Sequence, residues 1–294
     1  MTRRIVLVGA ARSGTKVLRD VVAEAAGIGR VPYDIGFVWR YGNGASPDDV
    51  LDPATLTPRM RRFIAQRVDS YAAGTPPVVL EKTVGNALRV PFVRAALPGA
   101  VFVHLIRDGV DVAESTRRQW LSPPDGGYLL KKARHFPLRL APSYGTRYAL
   151  SLARRYVVHD HRVRTWGPRY PGIDEDVHSG ELLKVCARQW KHSVESACTA
   201  FAELGGPVVE VRYEHLVADP SATVTSVVSG LGLPLDAHRL ETATSVLVSA
   251  RQGTGERALT DAELAMLDGE IGSTLNDLGY ELPSSRRAPG ADRA

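Results

Sequence analysis

RIVLVGAARSGTKVL, residues 4–18, decides the fold. Residues 4–9 are a short apolar run closed by glycine, the pattern of a strand buried on both faces in a parallel sheet. Residues 14–26 then place Leu18, Val21, Val22 and Ala25 at helical spacing. Strand, Gly-rich turn and helix together outline a phosphate-binding βα unit. The glycines let backbone approach a phosphate, and the helix directs its first N–H groups and a partial positive charge at it. Arg12 and Lys16 add cations, while Ser13 and Thr15 add hydroxyl donors.

The turn differs from a Walker A loop, which reads GxxxxGK[ST]. Gly9 and Gly14 have that spacing, but Thr15 precedes Lys16, so the order of hydroxyl and lysine is inverted. A nucleoside triphosphate loop needs the hydroxyl after the lysine, where it can hold Mg²⁺. Here the hydroxyl comes one residue early, and a cation, Arg12, lies inside the loop.

Working outward, the alternation continues. Val78–Leu80 reads as a short strand, residues 86–97 as a helix closed by Pro98-Gly99, and Ala100–Ile106 as a second strongly apolar strand. Residues 109–120 have helical periodicity. Val208–Arg212 is a further strand, followed by a helix at about 221–231. Alternating β and α predicts an α/β fold, a parallel sheet flanked by helices in one domain spanning residues 1–282. Residues 121–180 are richer in Pro, Gly, Tyr and Arg and have weak periodicity, as expected of a cover over the sheet edge where an acceptor binds. The polar Pro283–Ala294 reads as a disordered tail.

Cys186 and Cys198 fall in a segment of helical periodicity, where twelve residues of helix separate them by ~18 Å, too far for a disulfide. No Cys/His cluster has ligand spacing, so no metal is expected. Arg3-Arg4 are followed by too short an apolar run for a signal peptide, and no run approaches a membrane span, which predicts a cytoplasmic protein. The net charge of +5 suits an anionic ligand but does not choose among nucleotide, lipid and nucleic acid.

A second motif follows the strand that ends at Ile106. The segment RDGVDVAES sets Arg107 at the carboxyl end of a strand, where open α/β sheets bind ligands. Ser115, eight residues on, lies in the next helix. A guanidinium fork and a hydroxyl can clamp a phosphomonoester.

Together these motifs resemble the sulfotransferase family that uses 3′-phosphoadenosine 5′-phosphosulfate (PAPS). GAARSGTKVL (9–18) looks like that family's 5′-phosphosulfate loop, and Arg107 with Ser115 match its 3′-phosphate site. EKTVGN (81–86) resembles the family's Glu-Lys-Thr-Pro segment, with Val84 in place of proline. VRYEHLVADP (211–220), followed by GLGLP (230–234), resembles its Tyr-Glu-Asp-Leu region. SARQGTGE (249–256) resembles its nucleotide-closing loop, with Gln252 and an extra glycine as departures. The resemblance covers roughly residues 4–282 and is weakest over 117–185.

The resemblance implies a P-loop-like domain with a central parallel sheet of about five strands. It implies transfer of a sulfuryl group from PAPS, with adenosine 3′,5′-bisphosphate (PAP) leaving and no metal involved. Arg12 matches the loop cation at the leaving oxygen, and Lys82 a second lysine near the sulfuryl group. Ser13, Gly14, Thr15 and Lys16 match the 5′-phosphate loop. Tyr213 matches an adenine-contacting tyrosine, and Arg251 and Gly253 match the closing loop. Carbohydrate-type members carry a catalytic Glu about 22 residues beyond the loop cation. The matching position here is Asp34, one methylene shorter, with Glu81 and His104 as rival bases.

The acceptor is not legible, so a hydroxyl or amine of a carbohydrate, glycolipid or secondary metabolite all remain open. Residues 117–170 hold twelve Lys/Arg against two acids, interleaved with aromatics such as Trp120, Tyr128 and Tyr144. One expectation is an anionic acceptor, or peripheral contact with an anionic membrane, rather than nucleic acid. The competing enzymatic reading is a P-loop small-molecule kinase, and the non-enzymatic one a basic anion- or lipid-binding module.

Overall fold

The computed structural model describes residues 1–122, 166–245, 247 and 257–282. Five parallel strands form one sheet: β1 (Arg3–Val8), β2 (Gly29–Arg30), β3 (Val78–Lys82), β4 (Val101–Ile106) and β5 (Val208–Arg212). Their spatial order is β2-β3-β1-β4-β5. The α/β class, the parallel sheet and the strand count expected from sequence are therefore observed.

Strand order determines where a ligand can sit. From β1 the chain crosses to one side of the sheet, to β2 and β3, and then passes to the other side for β4 and β5. The carboxyl ends of β1 and β4 thus flank the point where the winding direction reverses, the usual crevice of an open α/β sheet. The register aligns these ends: Leu7 pairs with Lys82, Val8 with His104 and Ile106 with Arg212. The chain emerges from four strands along a single edge.

Helix α1 (Thr15–Ala26) buries Leu18, Val21, Val22 and Ala25 against one face of the sheet, the stripe read from the sequence. Ile5, Leu7, Val78, Leu80, Val103 and Leu105 supply the strand side of that layer. The alternate residues Val6, Val8, Val79 and Phe102 face the opposite layer, as the two-residue period of a strand requires. That layer is closed by α2 (Gly36–Trp39), α3 (Pro58–Asp69) and α4 (Val90–Ala96). Helix α5 (Gly109–Leu121) follows β4. After α6 (Ile173–Ser179), the long α7 (Leu182–Leu204) packs along α5. Beyond β5 come α8 (Tyr213–Ala218), α9 (Pro220–Gly230), α10 (Ala237–Ser245) and α11 (Asp261–Asp277), the last packed on α7.

Two expectations need correction. The helix expected over 86–97 is a 3₁₀ turn at Val84–Leu88 followed by α4. Pro91 lacks an N–H and its ring would meet the carbonyl of Ala87, so one helix cannot run through both. The strand expected at Val78–Leu80 extends to Lys82, with every residue buried. Cys186 and Cys198 are both free in α7, as their spacing requires. No described helix is long and apolar enough to cross a membrane.

Candidate active site

The loop between β1 and α1 is shaped by close packing. A Cβ on Gly9 would lie 2.7 Å from the Leu105 carbonyl oxygen and 2.9 Å from Thr15 Cγ2, so only glycine lets the loop lie against β4. Arg12 (φ 68°) and Gly14 (φ 89°) are left-handed on either side of Ser13. Turns of this kind direct successive N–H groups into a concavity that suits an anion. Gly14 offers no side-chain cap to α1, and the first intrahelical bond runs from Leu18 N–H to the Gly14 carbonyl at 3.0 Å. The N–H groups at the start of α1 therefore point out of the helix end toward the loop. Ser13 is 1% exposed, and its hydroxyl has no hydrogen-bond partner among the described residues.

Arg107 leaves β4 beside this loop and is 8% exposed. Its Nη1 donates to the Arg12 carbonyl at 3.2 Å and its Nη2 to Asp111 at 3.0 Å. The guanidinium lies 4.1 Å above the Tyr213 ring, a cation–π contact. Its Nε, also buried, has no partner among the described residues. From the loop side, Arg12 Nε donates to Ser115 Oγ at 3.0 Å and its Nη1 to Gln119 at 3.3 Å. Arg12 and Arg107 thus cross-link the loop after β1 to helix α5. Desolvation, then the neighbouring charges of Arg107 and Arg118, lower the pKa of the Arg12 guanidinium. Concentrated positive charge of this kind favours an anionic partner.

Tyr213, the first residue after β5, packs so closely on Gly14 that a Cβ there would lie 2.5 Å from the ring. The next residue, Glu214, accepts the Asp108 N–H at 3.0 Å through Oε1 and the Tyr280 hydroxyl at 3.0 Å through Oε2. Asp108 caps α5 by accepting from the Val110 N–H at 2.8 Å. Trp190 on α7 donates its indole N–H to the Arg107 carbonyl at 3.0 Å, and its ring fills the space a Cβ on Gly109 would need. The turn bearing Arg107 is therefore fixed from α8 and α7, with Tyr280 after α11 holding Glu214 in place.

At the end of β3, Lys82 Nζ donates to Asp34 Oδ1 at 2.5 Å. The lysine side chain is 8% exposed and that of Asp34 25%, so the carboxylate is the open member of the pair. Glu81 faces the other way, into the layer of α2 and α4, and is 0% exposed. It accepts from Trp39 Nε1 (3.2 Å), Thr83 Oγ1 (2.6 Å) and Asn86 Nδ2 (2.9 Å). Burial pushes its carboxyl up to about 7, against the pull of the Thr83 and Trp39 donors. His104 is buried within β4 beside the Phe201 ring, with centroids 5.2 Å apart, and burial pushes its pKa down to about 4. It is a core histidine whose Nε2 has no partner among the described residues. Of the three candidate bases, only Asp34 reaches the open edge. Glu81 and His104 point into the core, because strand alternation turns both from the crevice.

Arg12, Ser13, Gly14, Thr15, Lys16, Arg107, Ser115 and Tyr213 thus gather around the carboxyl ends of β1, β4 and β5, while Lys82 and Asp34 meet at the end of β3. Arg251 and Gly253 lie outside the described residues, as do most of the basic segment 117–170 and the tail 283–294. Sequence reading missed Glu214, Trp190, Asp111 and Trp39. For Glu214 a signal existed, since it directly follows Tyr213 in the motif RYE. The partners of Trp190 and Trp39 are distant in sequence and left no local mark.

Fold and cleft define an open parallel-sheet α/β protein whose switch-point crevice carries Arg12 and Arg107. In overall fold the chain is similar to the sulfotransferase domain from the curacin biosynthetic pathway (TM-score 0.51, 13% identity, covering 96% of this chain and 99% of that one). It is likewise similar to the sulfotransferase STF9 from Mycobacterium avium (TM-score 0.56, 12% identity, 96% of this chain and 78% of that one). No curated protein matches it in sequence. The model of the sulfotransferase family matches residues 153–237. The family match spans less than a third of the chain, and the two solved structures share its fold.

Proposed function

We propose that the protein, as a single domain over residues 1–282, transfers a sulfuryl group from PAPS to a hydroxyl or amine. The observation that carries this reading is a pair of buried donors without partners among the described residues, Ser13 Oγ and Arg107 Nε, one on each side of the crevice. A buried polar group left unsatisfied costs about 1–3 kcal/mol. Phosphate oxygens would satisfy both, and a nucleotide with a 5′- and a 3′-phosphate offers one to each. The residues present fit that ligand.

When bound, PAPS supplies the sulfuryl group, and PAP is released. In this reading Ser13, Gly14, Thr15 and Lys16 hold the 5′-phosphate through hydroxyl, ammonium and helix N-terminal N–H groups. Arg107 and Ser115 hold the 3′-phosphate, and Tyr213 offers its ring to the adenine. Arg12 and Lys82 are the cations available to charge that develops as the bond to sulfur breaks. Asp34 receives the acceptor's proton. Pairing with Lys82 orients the Asp34 carboxylate, and its exposure leaves it accessible to the acceptor. Arg251 and Gly253 would close over the nucleotide. Residues 121–180 would cover a carbohydrate, glycolipid or secondary-metabolite acceptor, itself anionic or carried on an anionic surface, in the cytoplasm.

The test is incubation with labelled PAPS and a metabolite extract, followed by mass spectrometry for products heavier by one sulfuryl group. Label appearing in new products at the rate PAP is released supports transfer. PAP release without labelled product, or no consumption of PAPS in any extract, contradicts it.

A further inference from the structure

The Lys82–Asp34 pair joins two chain segments 48 residues apart. Each segment is anchored separately, and both anchors lead to the same buried carboxylate. On the Asp34 side, the Ile35 N–H donates to Thr83 Oγ1 at 3.0 Å, and that hydroxyl donates to Glu81 Oε1 at 2.6 Å. Four residues beyond Ile35, the Trp39 indole donates to the same oxygen at 3.2 Å. On the Lys82 side, Asn86 in the 3₁₀ turn donates to Glu81 Oε2 at 2.9 Å. Asn86 is itself oriented, because its Oδ1 accepts from Arg89 Nε at 2.9 Å, and Arg89 Nη1 donates to Asp49 at 3.1 Å. Glu81 thus gathers donors from the loop that carries Asp34 and from the turn that follows Lys82, while hydrogen-bonding to neither side chain of the pair.

We propose that Glu81 is a positioning residue that holds Asp34 and Lys82 in register across the crevice. The inference rests on the reading that this pair serves the transfer reaction. A carboxylate suits the position because its two oxygens can accept from three donors at once, which an amide could not do without presenting its own N–H₂ to one of them. Strand alternation makes the role possible: Glu81 points into the core as its neighbour Lys82 points to the crevice.

The swap Glu81→Gln with Asn86→Asp tests this without changing volume or net charge. Glu81→Gln alone leaves an oxygen for Trp39 and Thr83 but sets the new N–H₂ against that of Asn86. Asn86 cannot turn over without losing Arg89. Adding Asn86→Asp restores an acceptor both for the amide introduced by Glu81→Gln and for Arg89. The readout is the rate at which trace acetic anhydride labels Lys82, measured by mass spectrometry in the full chain relative to the exposed Lys16.

Glu81→Gln should raise Lys82 labelling roughly fivefold, the factor that about 1 kcal/mol of lost positioning corresponds to. The double variant should return it to the wild-type rate. Labelling unchanged in Glu81→Gln, or as high in the double variant as in the single, overturns the proposal. Should Glu81→Gln not fold, Thr83→Val takes its place: it breaks the relay to Ile35 and should raise labelling, whereas Thr83→Ser should not. Equal labelling in those two variants overturns the proposal as well. Stabilisation of the wild type by PAP is measured in parallel. Its absence would sink the PAPS reading, while the labelling result would still decide what Glu81 does.

Discussion

Replacing Arg107 with alanine isolates the half of the crevice that should read a 3′-phosphate. The side chain makes three contacts within the protein: the Arg12 carbonyl at 3.2 Å, Asp111 at 3.0 Å and the Tyr213 ring at 4.1 Å. Its Nε has no partner among the described residues. If that nitrogen and the rest of the fork serve a 3′-phosphate, alanine removes hydrogen bonds to a charged group, worth about 1.5–3 kcal/mol. PAP should then bind roughly 10- to 100-fold more weakly, at about 1.4 kcal/mol per factor of ten. Adenosine 5′-phosphosulfate has no 3′-phosphate, so its affinity should fall much less, by whatever the lost bond to the Arg12 carbonyl does to the loop. Arg107→Lys should fall between, since it keeps the charge but not the planar fork. Calorimetric titration of both ligands into wild type and variants measures this. Equal losses for the two ligands would refute the assignment of Arg107 to the 3′-phosphate.

Asp34→Asn preserves size but cannot take a proton, so turnover should fall roughly 10²–10⁴-fold with PAP affinity unchanged. Turnover near that of wild type would remove Asp34 from the role of base. Gly14→Ala adds about 1–2 kcal/mol of left-handed strain and brings a methyl 2.5 Å from the Tyr213 ring. Both Tm and PAP affinity should drop, and a variant with neither changed would contradict the packing of Tyr213 on the loop. His104 titrates at about 4 when folded against 6.5 as a free side chain. With a depressed folded pKa, its contribution to stability is present above 6.5 and is lost progressively as pH falls from there through about 4. His104→Leu should therefore gain on wild type by up to about 3 kcal/mol across that window in denaturant melts, and parallel stability profiles would contradict the burial.

The parts of the site that were legible in the sequence are those written locally. An apolar run ending in glycine, and another ending in Arg107, mark strand ends without reference to anything distant. The helical stripe Leu18, Val21, Val22 and Ala25 fixed the direction of α1 in the same way. Strand β2 has only two residues, Gly29 and Arg30, too few to carry a period. The supports of the site were illegible for a different reason. Glu214 meets Asp108 across 106 residues and Trp190 meets the Arg107 carbonyl across 83, so their roles exist only once the sheet is assembled. Which of Asp34, Glu81 and His104 lies at the open edge was likewise illegible in sequence. It depends on the strand face that Glu81 and His104 occupy and on the position of Asp34 in the loop after β2.

The central claim is that the crevice takes a 3′,5′-bisphosphorylated adenosine, and thermal unfolding of the full chain tests it most directly. PAP, ATP with Mg²⁺ and a polyanion such as heparin are compared as ligands. PAP should raise Tm saturably, by an amount equivalent to about 2.7 kcal/mol at 100 times its Kd, while the other two leave Tm near its unliganded value. Stabilisation by ATP with Mg²⁺ or by heparin equal to or greater than that by PAP would contradict the account.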